Sequence, residues 1–369
     1  MSTSKVYFTD MRASAKENML AKVVRLADML DLKKIIPPRG LVALKLHFGE
    51  KGNTAYIRPT FVRQIVDRVR ALGAFPFLTD ANTLYVGARA DSVSHLHTAI
   101  ENGFSFSVVN APLVIADGLR GASYGAVKIQ QEVVKTAYIG KEIVEADGLI
   151  SIAHFKGHEL SGFGGTLKNL GMGCASRRGK MVQHADVSPK ITRKKCVGCG
   201  DCVEHCAQFA ISVHEQKAAI DSKKCIGCGE CLLICSNKAI DVRWNSDMVL
   251  FQKKLVEYAL AVLKGKEGKV AFLNFLTQIS PACDCYGHSD APIVHDLGIM
   301  SSVDPVAIDQ ASVDMVNRQR ALENTSVQTN RDPGGDKFRA IYPEVDWTIQ
   351  LEYAEKIGLG SRDYELVTI

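Results

Sequence analysis

The run KKCVGCGDCVEHC, Lys194 to Cys206, carries four cysteines, and KKCIGCGECLLIC repeats the arrangement at Lys223 to Cys235. Residues 196–211 and 225–240 align at an offset of 29 without a gap: Cys, Val or Ile, Gly, Cys, Gly, an acid, Cys, three residues, Cys, three residues, Ala-Ile. The duplicated unit, from about Pro189 to Val242, is too small to build a good apolar core alone. Something other than hydrophobic burial must hold it folded, and the eight thiols are the obvious means. The N-terminal stretch MSTSKVYFTDMRASAKENML has no apolar run long enough for a signal peptide, and no later stretch approaches a membrane span. The expected compartment is the cytoplasm, where thiols stay reduced, so metal ligation is favoured over disulfides.

C-x2-C-x2-C-x3-C, present twice, is the ligand spacing of a bacterial ferredoxin with two [4Fe–4S] clusters. Two-residue gaps let three thiolates wrap one face of a cube. Gly198, Gly200, Gly227 and Gly229 allow the backbone to curl with its amides toward sulfur. The fourth cysteine of each run reaches the other cluster. The expected sets are Cys196, Cys199, Cys202 and Cys235 for one cluster, and Cys225, Cys228, Cys231 and Cys206 for the second. A zinc ribbon also uses C-x2-C pairs, but it needs two paired knuckles per site rather than three close cysteines and a remote fourth. Ala207 and Ser236 follow the fourth cysteines, where bacterial ferredoxins usually have proline; no ligand is lost by this. From Lys190 to Arg243 there are nine Lys/Arg against six Asp/Glu. A basic unit within a larger chain fits an internal electron relay, or a dock for an acidic donor such as a ferredoxin or flavodoxin.

Outside this window, short apolar runs alternate with amphipathic stretches. LVALKLHF (41–48), FPFLTD (75–80), GLISIA (148–153) and VAFLNF (270–275) suit strands covered on both faces. Pro59 opens a helix with Val62, Ile65, Val66, Val69 and Leu72 at helical spacing, and Gly73 can end it. A second helix is expected from about Asp247 to Lys264, and a third behind the Asp304-Pro305 cap toward Met315. The expected fold is α/β, a largely parallel sheet flanked by helices, with a small α+β ferredoxin-like insertion. Its parts would be residues 1–188, the insertion 189–242, and residues 243–369. The 45 basic and 40 acidic side chains balance too evenly for a nucleic-acid binder.

Two further segments concentrate reactive groups. AHFKGHELSGFGGTLKNLGMGC, Ala153 to Cys174, follows a predicted strand, where open α/β sheets place ligands. His154, Lys156, His158 and Lys168 are candidate catalytic groups there. Gly162, Gly164 and Gly165 with Asn169 are a candidate backbone cradle for an anion or an organic cofactor. Leu167 stands where a dinucleotide fingerprint needs its last glycine, so that motif is absent. The alternative is a close-packed turn with histidines satisfied by main-chain groups. The second segment, SPACDCYGHSDAPIVHDLG, holds Cys283, Cys285 and His288. With Cys174 and His154 or His158 these are candidates for a third metal site; low-pKa redox thiols and plain structural thiols are the alternatives.

VALKLHFGEKGNTAYIRP, LTDANTLYVGAR, HFKGHELSGFGGTLKNLGMGC, the double cysteine run and CDC…SDAPIVHDLGIMSSVDPVAID occur in this order across nearly the whole chain. In these motifs the sequence resembles the bacterial and archaeal proteins grouped as domain of unknown function 362, in the subgroup with an inserted ferredoxin unit. The resemblance implies an iron–sulfur redox protein without an agreed substrate. It draws interest to Lys45, His47, Asn53, Arg58, Asp80, Tyr85, Arg89, His184, Asp290 and Asp304, besides the candidates above, and assigns no role to any of them. The leading expectation is an oxidoreductase in which clusters pass electrons to a cleft and reduce a small molecule, with Lys156 or His158 the first proton donor. The alternative is a non-enzymatic carrier or maturation partner that docks on another protein.

Overall fold

The short apolar runs assemble into one eight-stranded sheet in a computed structural model, which describes residues 3–85, 87–184, 189–206, 209–225, 230–241 and 247–369. The strands are β1 (Ser4–Asp10), β2 (Leu41–Lys45), β3 (Phe75–Asp80), β4 (Leu113–Ile115), β5 (Gly148–His154), β6 (Val270–Leu276), β7 (Gly298–Ser302) and β8 (Tyr364–Thr368). Their order across the sheet is β8-β1-β7-β6-β5-β2-β3-β4. Strands β6, β5, β2, β3 and β4 are mutually parallel, β8 is parallel to β1, and β7 runs antiparallel to both neighbours. The chain is therefore an α/β fold on a largely parallel sheet.

The period of two along each strand splits the core between the two faces. Ala43, Leu149, Phe272 and Met300 pack with helices Met248–Leu263 and Pro305–Asn317 on one face. Val42, Leu44, Ile150, Leu273 and Ile299 pack with Met19–Asp28 and Pro59–Ala71 on the other. The expected caps form: Asp247 and Asp304 accept backbone N–H groups of the first turns that follow them, and Pro305 occupies a first-turn position.

From β2 the chain advances to β3 and β4 on one side, then returns through β5 to β6 on the other side. The switch between β2 and β5 opens a crevice at the carboxyl ends of the parallel strands, the preferred ligand position in such sheets.

The cysteine-rich segment leaves this body after helix Arg177–His184 and returns before Met248–Leu263. Its ends meet, because Lys190–Ile191 pairs antiparallel with Ile240–Asp241. Between them lie the hairpin Ile211–His214/Lys217–Ile220 and the short helices Asp201–Glu204 and Glu230–Ile234. A small apolar cluster of Cys196, Cys202, Ile211, Ala218, Leu232, Ala239 and Ile240 joins Leu84 and Met181 of the body.

Candidate functional site

The crevice is a cavity of about 500 Å³, walled by the ends of several strands and the loops after them, with Lys180, His184 and Phe251 from helices. Lys45 closes β2 and Asp80 closes β3, so adjacent parallel strands set a buried cation against a buried carboxylate, 3.0 Å apart. Lys45 Nζ also donates to Asn169 Oδ1 at 2.9 Å, and Asn169 Nδ2 returns a bond to the Lys45 carbonyl at 3.1 Å. Arg89 completes the network, 3.3 Å from Asp80 and 3.1 Å from Glu50, while donating to the Tyr85 hydroxyl at 2.8 Å. Burial opposes ionisation of Asp80, but Lys45, with His95 and His47, outweighs it and holds the carboxyl well below its usual range.

The opposite wall is built by the chain after β5. Lys156–His158 pairs antiparallel with Gly162–Gly164 in a tight hairpin. Helix Thr166–Gly171 then carries Lys168 and Asn169 to the cavity. The helix has no cap of its own. Asp309, from Pro305–Asn317, takes its first N–H groups instead, from Thr166 at 2.7 Å and Leu167 at 2.9 Å. Gly165 is required at that junction, since a methyl there would collide with the Asp309 carboxylate.

The loop after β6 supplies the thiols. Lys168 Nζ donates to Cys283 Sγ at 2.9 Å, and the Cys285 N–H donates to the same sulfur at 3.4 Å. The hydrogen bond from the Cys285 thiol, with Lys168 and Lys156 nearby, holds Cys283 well below the usual thiol range despite its burial. Cys285 moves the opposite way, raised by that bond to Cys283 and by burial. Asp284, between them, points away from the pair: it accepts His154 Nδ1 at 2.8 Å and pairs with Lys156 Nζ at 3.2 Å. Burial pushes Lys180 down to about 8 and His184, beside Lys168 and Lys180, down to about 3. His158 is likewise lowered by burial and by Lys168, so it is neutral at pH 7.

Lys156, His158, Gly165, Lys168, Asn169, Cys283 and Cys285 thus face one cavity, together with Lys45, His47, Asp80, Tyr85, Arg89 and His184. His154 lies beneath it. Its ring nitrogens meet Asp284 and the Thr277 carbonyl, both at 2.8 Å, which leaves neither for a substrate. Gly162 packs on Trp347 and Gly164 on the Lys168 stem, and neither lines the cavity. Cys174 is buried behind the wall, with its thiol raised to about 12 by that burial, and the His288 ring is exposed. The structure does not bring these two to the Cys283–Cys285 pair. Asn53 holds the thiol loop by donating to the Tyr286 and His288 carbonyls, both at 3.2 Å. Arg58 lines a separate cleft with Gln278, Asp290 caps its own turn by accepting the Ala291 N–H, and Asp304 caps a helix. Sequence reasoning missed Glu50, Glu159 and Asp309. The partners of Glu50 and Asp309 stand far away in the chain, and no local spacing marks them.

In the cysteine-rich segment, Cys196, Cys199, Cys202 and Cys235 surround one small cavity. Three first come from one repeat and the fourth from the other. Main-chain N–H groups reach the sulfurs: Ala218 to Cys196 at 3.3 Å, Ala239 to Cys235 at 3.2 Å and Ala210 to Cys206 at 3.3 Å. Gly198 and Gly200 have φ of 72° and 92°, and a side chain on Gly198 would strike the Gln216 backbone. Amides aimed at sulfur in a tight loop suit thiolates bound to a cluster. Of the second set, Cys206, Cys225 and Cys231 are described, whereas Cys228 lies outside the described residues. Among the described residues no three His, Cys, Asp or Glu side chains converge as a single ion would need, and no helix is long and apolar enough to cross a membrane.

No curated protein sequence matches the chain. Among solved structures, the lactate racemase apoprotein from Thermoanaerobacterium thermosaccharolyticum is similar with a TM-score of 0.37 at 14% identity, over 73% of this chain and 50% of that one. The chain thus spans about half the length of that structure. A family model described as Domain of unknown function (DUF362) matches residues 42–314, and the chain belongs to that family.

Proposed function

We propose that the protein is an iron–sulfur oxidoreductase. In this reading residues 189–242 are an inserted ferredoxin-like unit with two [4Fe–4S] clusters, set between residues 1–188 and 243–369 of one α/β domain. Cys196, Cys199, Cys202 and Cys235 would hold one cluster, and Cys225, Cys228, Cys231 and Cys206 the other. The observation that carries the reading is the crossed set around one small cavity, three cysteines of one repeat with the last of the other. The clusters would supply electrons one at a time.

The residues of the body suit the receiving end. Leu84 belongs both to the apolar cluster of the cysteine-rich unit and to the wall of the large cavity, so the two share a side chain. Reduction of an organic molecule needs protons as well as electrons. Lys180, brought to about 8, is poised to give one near neutral pH; Lys156, oriented by Asp284, is a second donor. His154 is a positioning residue for that carboxylate. Cys199 is exposed, which offers an edge where an acidic ferredoxin or flavodoxin can dock on the basic unit, in the reduced setting of the cytoplasm. A bare carrier or maturation partner would need only that unit and no cavity of about 500 Å³ in the body.

Anaerobic purification tests this reading. A brown protein with about eight irons and eight sulfides per chain is expected. Cys196→Ser and Cys235→Ser should perturb the same cluster signal in electron paramagnetic resonance, and Cys206→Ser the other. A colourless protein that carries zinc would overturn it.

A further inference from the structure

We propose that Cys283 and Cys285 are a redox-active dithiol, cycling between a thiolate–thiol pair and a disulfide, and that their substrate is a small anionic disulfide. Only the source of reducing electrons rests on the reading above; the pair itself stands on its own geometry.

Four observations converge on the pair. Both cysteines face the cavity of about 500 Å³, a volume typical of small-molecule sites. The Tyr286 N–H donates to the Cys283 carbonyl at 3.1 Å, closing a turn that bends the chain between the two sulfurs. The Cys285 N–H points at Cys283 Sγ. Lys168 is 9% exposed, and its ammonium has Cys283 Sγ, at 2.9 Å, as its hydrogen-bond partner, with no carboxylate paired to it among the described residues. A buried ammonium needs a counter-charge. Lys156, across the same loop, finds Asp284; for Lys168 the counter-charge is the Cys283 thiolate. A thiolate beside a thiol is the arrangement that disulfide exchange requires.

The walls set the charge of the ligand. Lys45, Arg89, Lys156, Lys168 and Lys180 line the cavity against Asp80 and Glu159, and Asp80 is already held by Lys45 and Arg89. Lys180 bonds the Ala175 carbonyl at 2.6 Å and has no carboxylate partner among the described residues. An anionic group on the substrate would meet it.

The chemistry balances. The Cys283 thiolate attacks one sulfur of R–S–S–R′, forming the mixed disulfide with R and expelling R′–S⁻. The Cys285 thiol gives its proton to R′–S⁻ and attacks Cys283 Sγ, expelling R–S⁻ and closing the Cys283–Cys285 disulfide. Two electrons and one proton restore the thiolate–thiol pair, with an iron–sulfur centre as the class of reductant.

The test uses the anaerobic full-length protein, equilibrated in dithiothreitol buffers of graded poise, acid-quenched, alkylated and read by peptide mass spectrometry, with iron measured on each sample. The peptide spanning Cys283 and Cys285 should pass from two alkyl groups to none, with loss of two hydrogens, and Cys285→Ser should abolish that change. In Cys285→Ser, dithiobis-nitrobenzoate should leave a stable aryl adduct on Cys283, and a further Lys168→Met should slow that labelling at least about tenfold. Lys180→Met should slow labelling by this dianionic probe but not by neutral dithiodipyridine. Alkylation of both cysteines at every poise would overturn the dithiol, as would a tightly held metal lost from the Cys283→Ser/Cys285→Ser double variant. Equal effects of Lys180→Met on both probes would overturn the anionic substrate. Oxidation of the pair in samples free of iron supports the dithiol while removing the cluster reading.

Discussion

Asp80 is 2% exposed, with Lys45 at 3.0 Å, Arg89 at 3.3 Å and His95 at 3.6 Å. Removing one partner from a buried ionic group leaves the rest uncompensated, which typically costs about 3–5 kcal/mol. Asp80→Asn should therefore lower stability by about that amount in urea unfolding at pH 7; a loss under about 1 kcal/mol would mean that Glu50 and Asn169 already satisfy the cations. His184 makes a second prediction. Its native value is about 3 against an ordinary 6.5, so between those pH values the unfolded chain takes a proton that the native state refuses. Stability from this group is complete above pH 6.5 and drains away as pH falls toward 3. His184→Phe should flatten the fall of the urea midpoint between pH 6.5 and 4; an unchanged slope would show that other groups carry the acid sensitivity. At this scale the sequence was half legible. Lys156, His158, Lys168, Cys283 and Cys285 stood out through local density of reactive groups, and the structure brings them to one cavity. Asp284, which holds both His154 and Lys156, stood between two cysteines with no role legible, because its partners are some 130 positions away.

Elements with a strong local signal were the legible ones. Phe75–Asp80 forms over the expected span, β5 and β6 each run one residue beyond theirs, and Pro59–Ala71 stops just before Gly73. Strands β1, β4, β7 and β8 were not expected. Of these, β1 and β8 are only partly buried, so they lack a continuous apolar run, and the pairing of β1 with β7 and β8 joins opposite ends of the chain. Helix Thr166–Gly171 depends on long-range contact too: its orphan N–H groups are taken by Asp309, which burial raises to about 6. Gly165→Ala should push Asp309 off those N–H groups and shift Lys168 from Cys283. A loss of about 2 kcal/mol or more in urea unfolding is expected, as for a removed cap with added strain, and Cys283 should alkylate more slowly at neutral pH. If stability held and the alkylation rate were unchanged, Gly165 would be a cavity-lining residue without this structural duty.

The body has an apolar core on each face of an eight-stranded sheet. Among the described residues of the cysteine-rich unit, the apolar cluster is Cys196, Cys202, Ile211, Ala218, Leu232, Ala239 and Ile240, and Leu84 and Met181 of the body join it. The unit's two ends are clamped by the short pairing of Lys190–Ile191 with Ile240–Asp241, so local opening there need not pull on the sheet. If clusters are what hold the unit, stripping iron by mild oxidation with a chelator should act on it alone. Hydrogen exchange read by mass spectrometry should then show amides in 190–241 losing protection while those of β2, β5 and β6 keep theirs. Leu84 and Met181 would become newly accessible, and oxidation of Met181 by peroxide should rise with iron loss. Protection lost throughout the sheet would mean that body and unit fold as one cooperative block, and protection kept in 190–241 would mean that the unit folds without its metal.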